Sequence, residues 1–201
     1  MAVTARKMAT YEDLFNIPDN MTGQIIDGEL IVTPRPSRKH VYTGSVLGAE
    51  VMPPYQFGRG GGPGGWIILD EPEIKLGRDI VVPDLAGWRK ERFPTDEETN
   101  WIAVSPDWVC EVLSPSTIRV DKIRKMPLYG KHGVGYFWLV DPAARTLEVF
   151  RLETGNWVVA GLYAEDDKVR AEPFQDIEIE LSNLWLEEAS RLPTEGADPK
   201  L

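Results

Sequence analysis

Cysteine is nearly absent: Cys110 is the only one in 201 residues. That excludes an internal disulfide and any zinc site built on cysteines. Histidine is almost as scarce, and His40 and His132 are the only candidate bases for a nucleophile, with no elbow motif to present one. Long apolar runs are missing too. Residues 136–140 form one of the longest, far short of the roughly 20 residues that span a bilayer. No charged start leads into an apolar run at the N-terminus, so a secretory signal is not expected. The glycine-rich stretch from Arg59 to Gly65 lacks the Lys-Ser/Thr sequel of a phosphate-cradling loop and reads as a plain loop. No internal repeat is visible. These absences point to a reduced, cytoplasmic chain with no membrane partner and no organic cofactor.

What remains is ordinary globular composition. Hydrophobic residues make up 42% and charged residues 27%, which rules out wholesale disorder, collagen-like sequence and a coiled coil. The length suits one core, so residues 1–192 are expected to form a single domain and 193–201 a disordered tail. The net charge of −10 argues against a surface that binds nucleic acid everywhere, because phosphate contacts need local Lys and Arg. Residues 115–132 reverse that balance, with Arg119, Lys122, Arg124, Lys125 and Lys131 against Asp121 alone. Of these, Arg119, Lys122 and Arg124 are the expected phosphate contacts. Arg35, Arg38 and Lys39 form a second basic cluster.

The element order follows from turn and periodicity signals. Thr10 can cap a helix over residues 11–16, with Asp13 in the capping-box position. Asp27-Gly28 reads as the tight turn of a hairpin between residues 24–27 and 29–32. Ser37 opens a helix to about residue 51, carrying Val41, Val46, Leu47 and Val51; Gly44 and Gly48 weaken it, and Pro53-Pro54 ends it. Strands are expected at 66–69, 73–76 and 80–85. Residues 108–113 read as a strand buried on both faces. Residues 116–132 are helical in pattern, with a break at Pro127. A β-meander over 136–162 and a closing helix at 181–190 complete an α/β or α+β chain around a mixed sheet.

Two carboxylates stand within apolar runs: Asp84 after Ile80-Val81-Val82-Pro83, and Glu111 inside Trp108-Val109-Cys110-Glu111-Val112-Leu113. An unpaired buried carboxylate costs several kcal/mol, so each needs a partner or a metal. One reading is a salt bridge to a core arginine. The other is two acids converging from neighbouring strands on Mg²⁺, which takes one or two carboxylates plus waters and phosphate. Downstream, Asp121, Lys125 and Tyr129 are spaced to share one helix face. That spacing suits either an exposed ion pair or a lysine delivered to the carboxylates. Most tryptophans lie on strand patterns and read as core; Trp101, in a polar stretch, is the exception.

Taken in order, Ile26-Asp27-Gly28-Glu29, Pro36-Ser37 with His40, Val82-Pro83-Asp84, Glu111-Val112-Leu113-Ser114-Pro115-Ser116, Asp121, Lys125, Tyr129, Gly133-Val134 and Trp138-Leu139-Val140-Asp141-Pro142 resemble the Uma2 family. That is a bacterial group of restriction-endonuclease-like proteins with the PD-(D/E)XK fold. The resemblance spans roughly residues 11–185. It implies an α/β restriction-endonuclease-like core, a mixed β-sheet flanked by helices with a C-terminal β-meander. It implies a DNA endonuclease using Mg²⁺ or Mn²⁺, with Asp84 and Glu111 as metal ligands and Glu29, Asp84, Glu111 and Lys125 as the catalytic set. His40 matches a histidine near the family's site, and Asp121 and Tyr129 would be accessory. Leu113 stands where the general motif has its lysine, and Lys125 from the next helix matches the family's substitute. Cutting two strands is easiest with two sites, so a homodimer is an expectation from the chemistry alone. A non-catalytic nucleic-acid or partner-binding protein on this fold, and a hydrolase of small phosphorylated substrates, are the alternatives.

Overall fold

In the computed structural model, which describes residues 8–95 and 98–187, a mixed six-stranded sheet lies between a long helix on one face and a smaller sheet with a broken helix on the other. Strands β1 (Met21–Ile26) and β2 (Glu29–Pro34) pair around Asp27-Gly28, both at positive φ, as the turn chemistry requires. With β4 (Ile74–Leu76) and β5 (Asp79–Val81) they form the smaller sheet, in the order β2-β1-β5-β4. The larger sheet contains β3 (Trp66–Asp70), β6 (Leu85–Arg89), β7 (Trp108–Val112), β8 (Tyr136–Asp141), β9 (Thr146–Glu153) and β10 (Asn156–Ala164), in the order β10-β9-β8-β7-β6-β3. A small ribbon of β11 (Lys168–Val169) and β12 (Ile179–Glu180) follows.

Among the paired strands of the described residues, only β7 and β8 run parallel, and a parallel pair needs a crossover. That crossover is α2 (Ile118–Val120), a π-helical stretch Asp121–Lys125 and α3 (Met126–Lys131). The break expected at Pro127 is therefore a π turn just before it. Met126 N–H bonds Asp121 C=O, five residues back, and Pro127 occupies the first turn of α3, where its missing N–H is harmless.

Helix α1 (Arg38–Tyr55) is capped by Ser37, whose hydroxyl accepts from His40 N–H at 3.4 Å. Its buried positions are His40, Thr43, Gly44, Leu47, Gly48, Val51 and Tyr55, a stripe at helical spacing. Val41, expected on that stripe, is half exposed. Gly48 lies on the stripe facing Leu85, where an added Cβ would make only an ordinary contact at 3.7 Å. The two prolines do not end the helix: it continues through both to Tyr55, and Gln56 N–H closes it on Met52 C=O at 2.8 Å.

The strand expected over residues 80–85 is two strands in different sheets. The chain leaves β5 at Val81, turns through Val82-Pro83-Asp84 and enters β6 at Leu85. Pro83 has no N–H for a ladder, and Val82 N–H bonds the side chain of Gln24 instead. The closing helix expected over 181–190 is a 3-10 turn, Leu181–Leu184, whose buried leucines are tied to α1 by Thr43 Oγ1 donating to Leu184 C=O at 2.7 Å. Residues 188–190 and the expected tail 193–201 lie outside the described residues.

Alternation along β7 divides the core. Trp108, Cys110 and Val112 face α1 together with Trp66, Trp138 and Phe174. Val109 faces the other way, with Ala86, Trp88, Phe137 and Tyr129. Glu111, between Cys110 and Val112, takes that second face.

Candidate active site

The corner at Val82-Pro83-Asp84 is what brings the two carboxylates together. Leu85 pairs with Cys110 and Ala86 with Val109 across β6 and β7. One step further along the same register, Asp84 lies opposite Glu111. Asp84 Oδ2 accepts from Val112 N–H at 2.6 Å, which fixes its carboxylate to the end of β7. Asp84 therefore sits at a corner between sheets, and not inside a strand as its apolar neighbours suggest.

Glu111 is 2% exposed and held at both oxygens. Lys125 Nζ lies 2.9 Å from Oε2, and the Tyr129 hydroxyl donates to Oε1 at 2.6 Å. Lys125 also reaches Asp121 Oδ1 at 3.2 Å and Val82 C=O at 3.3 Å. The i, i+4 contact between Asp121 and Lys125 thus lies inside the protein, both side chains being under 5% exposed. Burial pushes Glu111 up to about 8; Lys125 pulls it down, while Asp121 and Asp84 add to the rise. Burial lowers Lys125, yet the carboxylates of Glu111, Asp121 and Asp84 outweigh it and hold the amine as an ammonium. Burial raises the Tyr129 phenol, and Glu111 raises it further, so it stays a donor.

His40 comes from the first turn of α1, and its Nε2 lies 2.7 Å from Asp84 Oδ1. Burial lowers the imidazole pKa, but Asp84, with Asp121 and Glu71 adding to it, outweighs burial and the net direction is upward. Nδ1 of the same ring is buried without a hydrogen-bond partner. Asp84, Glu111, Asp121, Lys125 and His40 all line one cavity of about 280 Å³, roofed by the β1–β2 hairpin and floored by the Ser114–Thr117 turn.

Two expected participants are placed elsewhere. Glu29 does not line the cavity; its carboxylate takes Arg124 Nη1 at 3.1 Å, and Arg124 also bonds Ile26 C=O at 2.8 Å, so the pair clamps the hairpin to the crossover. Lys122 is paired with Glu148 at 3.0 Å. Two of the three basic residues expected to meet phosphate are thus engaged within the protein. Trp101 is packed edge-on to Tyr11 at 4.4 Å, with Lys75 over its ring. The residues 58–65 do not contribute to the cavity wall.

Two cavity residues escape a reading of the sequence, and a third, Arg35, is legible there only as part of a basic cluster. Gln24, 5% exposed, anchors Val82 N–H. Arg35 follows β2 and lines the cavity mouth. Glu71, at φ 45°, gives its N–H to Asp84 C=O at 3.1 Å. The one signal for Glu71 is an acidic pair followed by proline at a strand end, Asp70-Glu71-Pro72.

Asp84 and Glu111 suit a hard divalent cation. An ionised carboxylate offers about four lone-pair positions, and each of these side chains uses two of them. Among the described residues, no three His, Cys, Asp or Glu side chains gather as a ready ligand set. The remaining ligands would be waters and substrate oxygens, the usual habit of Mg²⁺. The cavity also carries the acids Glu71, Asp84, Glu111 and Asp121 against Arg35 and Lys125, so an anionic phosphate needs a cation to enter it.

A family model named Uma2 and described as "Putative restriction endonuclease" matches residues 8–183. A crystal structure described as that of "a putative nuclease belonging to DUF820" from Anabaena variabilis superimposes with a TM-score of 0.70 at 24% identity, covering 88% of this chain and 97% of that one. The likeness establishes the nuclease-type α/β fold. No curated protein matches the chain. No helix among the described residues is long and apolar enough to cross a membrane.

Proposed function

Because the chain belongs to the Uma2 family, described as "Putative restriction endonuclease", we propose that it is a divalent-metal-dependent nuclease that hydrolyses phosphodiester bonds in DNA. The observation that carries this reading is the convergence of Asp84, Glu111 and Lys125 on one cavity, two acids and an ammonium from three separate elements. Asp84 and Glu111 would hold Mg²⁺ or Mn²⁺, which when bound supplies charge to polarise the phosphate and acidify an attacking water. Lys125 holds a positive charge beside Glu111, where negative charge accumulates as the phosphorus gains a fifth oxygen. Tyr129 fixes Glu111, Asp121 fixes Lys125, and His40 with Val112 N–H fixes Asp84. Glu29 acts through the hairpin clamp and not on the phosphate.

A second reading is favoured by one specific observation. Both oxygens of Glu111 are already satisfied by Lys125 and Tyr129 without any metal. A non-catalytic binding protein on this fold would look the same. Isothermal titration with Mn²⁺, alongside plasmid cleavage in Mn²⁺ and in EDTA, separates the two. The nuclease reading expects metal binding that disappears in Asp84→Ala and EDTA-sensitive cleavage lost in Asp84→Ala and Lys125→Ala. Metal-free cleavage, or no metal binding by the parent protein, would overturn it.

A further inference from the structure

The reactive groups sit deep. Glu111 and Lys125 are 2% and 3% exposed and are reached through a cavity of about 280 Å³. That volume lies at the lower end of the range of small-ligand pockets, about 300–1,000 Å³, room for a nucleotide-sized group and not for a duplex. The β1–β2 hairpin closes the cavity from one side, and Arg124, bonded to Glu29 and Ile26 C=O, holds that hairpin down. A paired duplex keeps its phosphates on a broad rigid surface, while a single strand can lead one nucleotide inward.

The wall chemistry fits a whole nucleotide better than a bare phosphate. Pro34 and Pro36 on the hairpin side and Pro115 in the turn below give the cavity apolar surface for a base or sugar, and Asp84 and Glu111 line it with carboxylates. Arg35 is the guanidinium on the lining, and its hydrogen bond to Asp19 C=O is long, 3.4 Å, and at the surface. Its charge is on the cavity wall, where a phosphate of a bound strand can meet it. Lys122 and Arg124, two of the crossover's basic side chains, are engaged within the protein.

Resting on the nuclease reading, we infer that this site takes DNA as a single strand, or at an unpaired position within a duplex, with one nucleotide in the cavity and the neighbouring phosphate on Arg35. The test compares one 20-nucleotide DNA as a single strand, as a blunt duplex and as a duplex with a central unpaired bubble. Binding is measured in Ca²⁺ and cleavage in Mg²⁺ and Mn²⁺. The single strand and the bubble should bind and be cut at least about tenfold better than the duplex, because unpairing has to be supplied only for the last. Arg35→Ala should weaken single-strand binding and shallow its log affinity–log salt slope by about 0.7, with the melting temperature unchanged. A duplex bound or cut as well as the single strand overturns the inference and leaves the nuclease reading standing. Selective single-strand binding without cleavage of any DNA supports the inference and removes the nuclease reading. Neither selective binding nor cleavage overturns both.

Discussion

On one face of β7, Trp108, Cys110 and Val112 pack beneath α1 against Trp138 and Phe174, with ring centroids 4.8 to 5.6 Å apart and edges against faces. On the other face, one residue along the same strand, Glu111 meets Lys125 and Tyr129. The side chains of both faces are almost wholly buried. The aromatic face gains hydrophobic burial plus about 0.5–1.5 kcal/mol for each ring pair. The charged face has to recover the desolvation of Asp121 and Lys125, and of Glu111 once it ionises, and buried ion clusters of this kind typically do no better than apolar side chains of the same volume. The aromatic face therefore accounts for stability, while the charged face is retained for its chemistry.

Stranding an ion should produce the largest effect. Lys125→Ala leaves Glu111 and Asp121 without their cation inside the protein, and the expected loss is about 3–5 kcal/mol in urea unfolding. Removing all three charges together, by Asp121→Asn, Glu111→Gln and Lys125→Met, should recover most of that loss, because no ion is left stranded. Both variants should lack activity. If the triple variant were as unstable as Lys125→Ala, the charged face would be a net source of stability and the contrast between the faces would fail.

The pH dependence of stability sharpens the same contrast. Glu111 is pushed up to about 8 from an ordinary 4.5, first by burial, so the folded protein binds that proton more tightly than the unfolded chain. Its contribution is fully present below about pH 4.5 and is lost as the pH rises through 8. Compared with Glu111→Gln, the parent protein should lose stability steadily between about pH 5 and 8. Parallel stability curves for the two proteins across that window would show that Lys125 keeps Glu111 ionised throughout. The aromatic face has no group that titrates in this range.

Legibility in the sequence also divides along these faces. Strand β7, the meander and the crossover position were readable because apolar runs and turn residues are local signals. The break at Asp84 was less visible. Val82-Pro83-Asp84 continues an apolar run, and only the pairing of β5 with β1 and of β6 with β7 shows that two sheets meet there. Asp84, Glu111, Lys125, His40, Asp121 and Tyr129 were nameable as a set, and the fold gathers them. Glu29 was not separable from them, because its tie to Arg124 joins residues 95 positions apart. Glu71 and Gln24 enter the cavity through a left-handed turn and a side chain to backbone bond, neither of which has a periodic signature.

The smallest expected effect compares two lysines three residues apart. Lys122 and Lys125 lie in the same π-helical stretch, and each pairs with a glutamate at about 3 Å. The side chain of Lys122 is 36% exposed and that of its partner Glu148 is 30% exposed, against 4% and 2% for Lys125 and Glu111. Water and salt screen the outer pair, so Lys122→Ala should cost no more than about 0.5 kcal/mol, and less still at high salt. Its effect on activity should be confined to a modest loss of DNA affinity, since Lys122 points at β9 and away from the cavity. Urea midpoints for Lys122→Ala and Lys125→Ala measured side by side test this directly. A loss at Lys122 approaching that at Lys125 would mean that ion pairing itself, and not burial, governs the energetics of this segment.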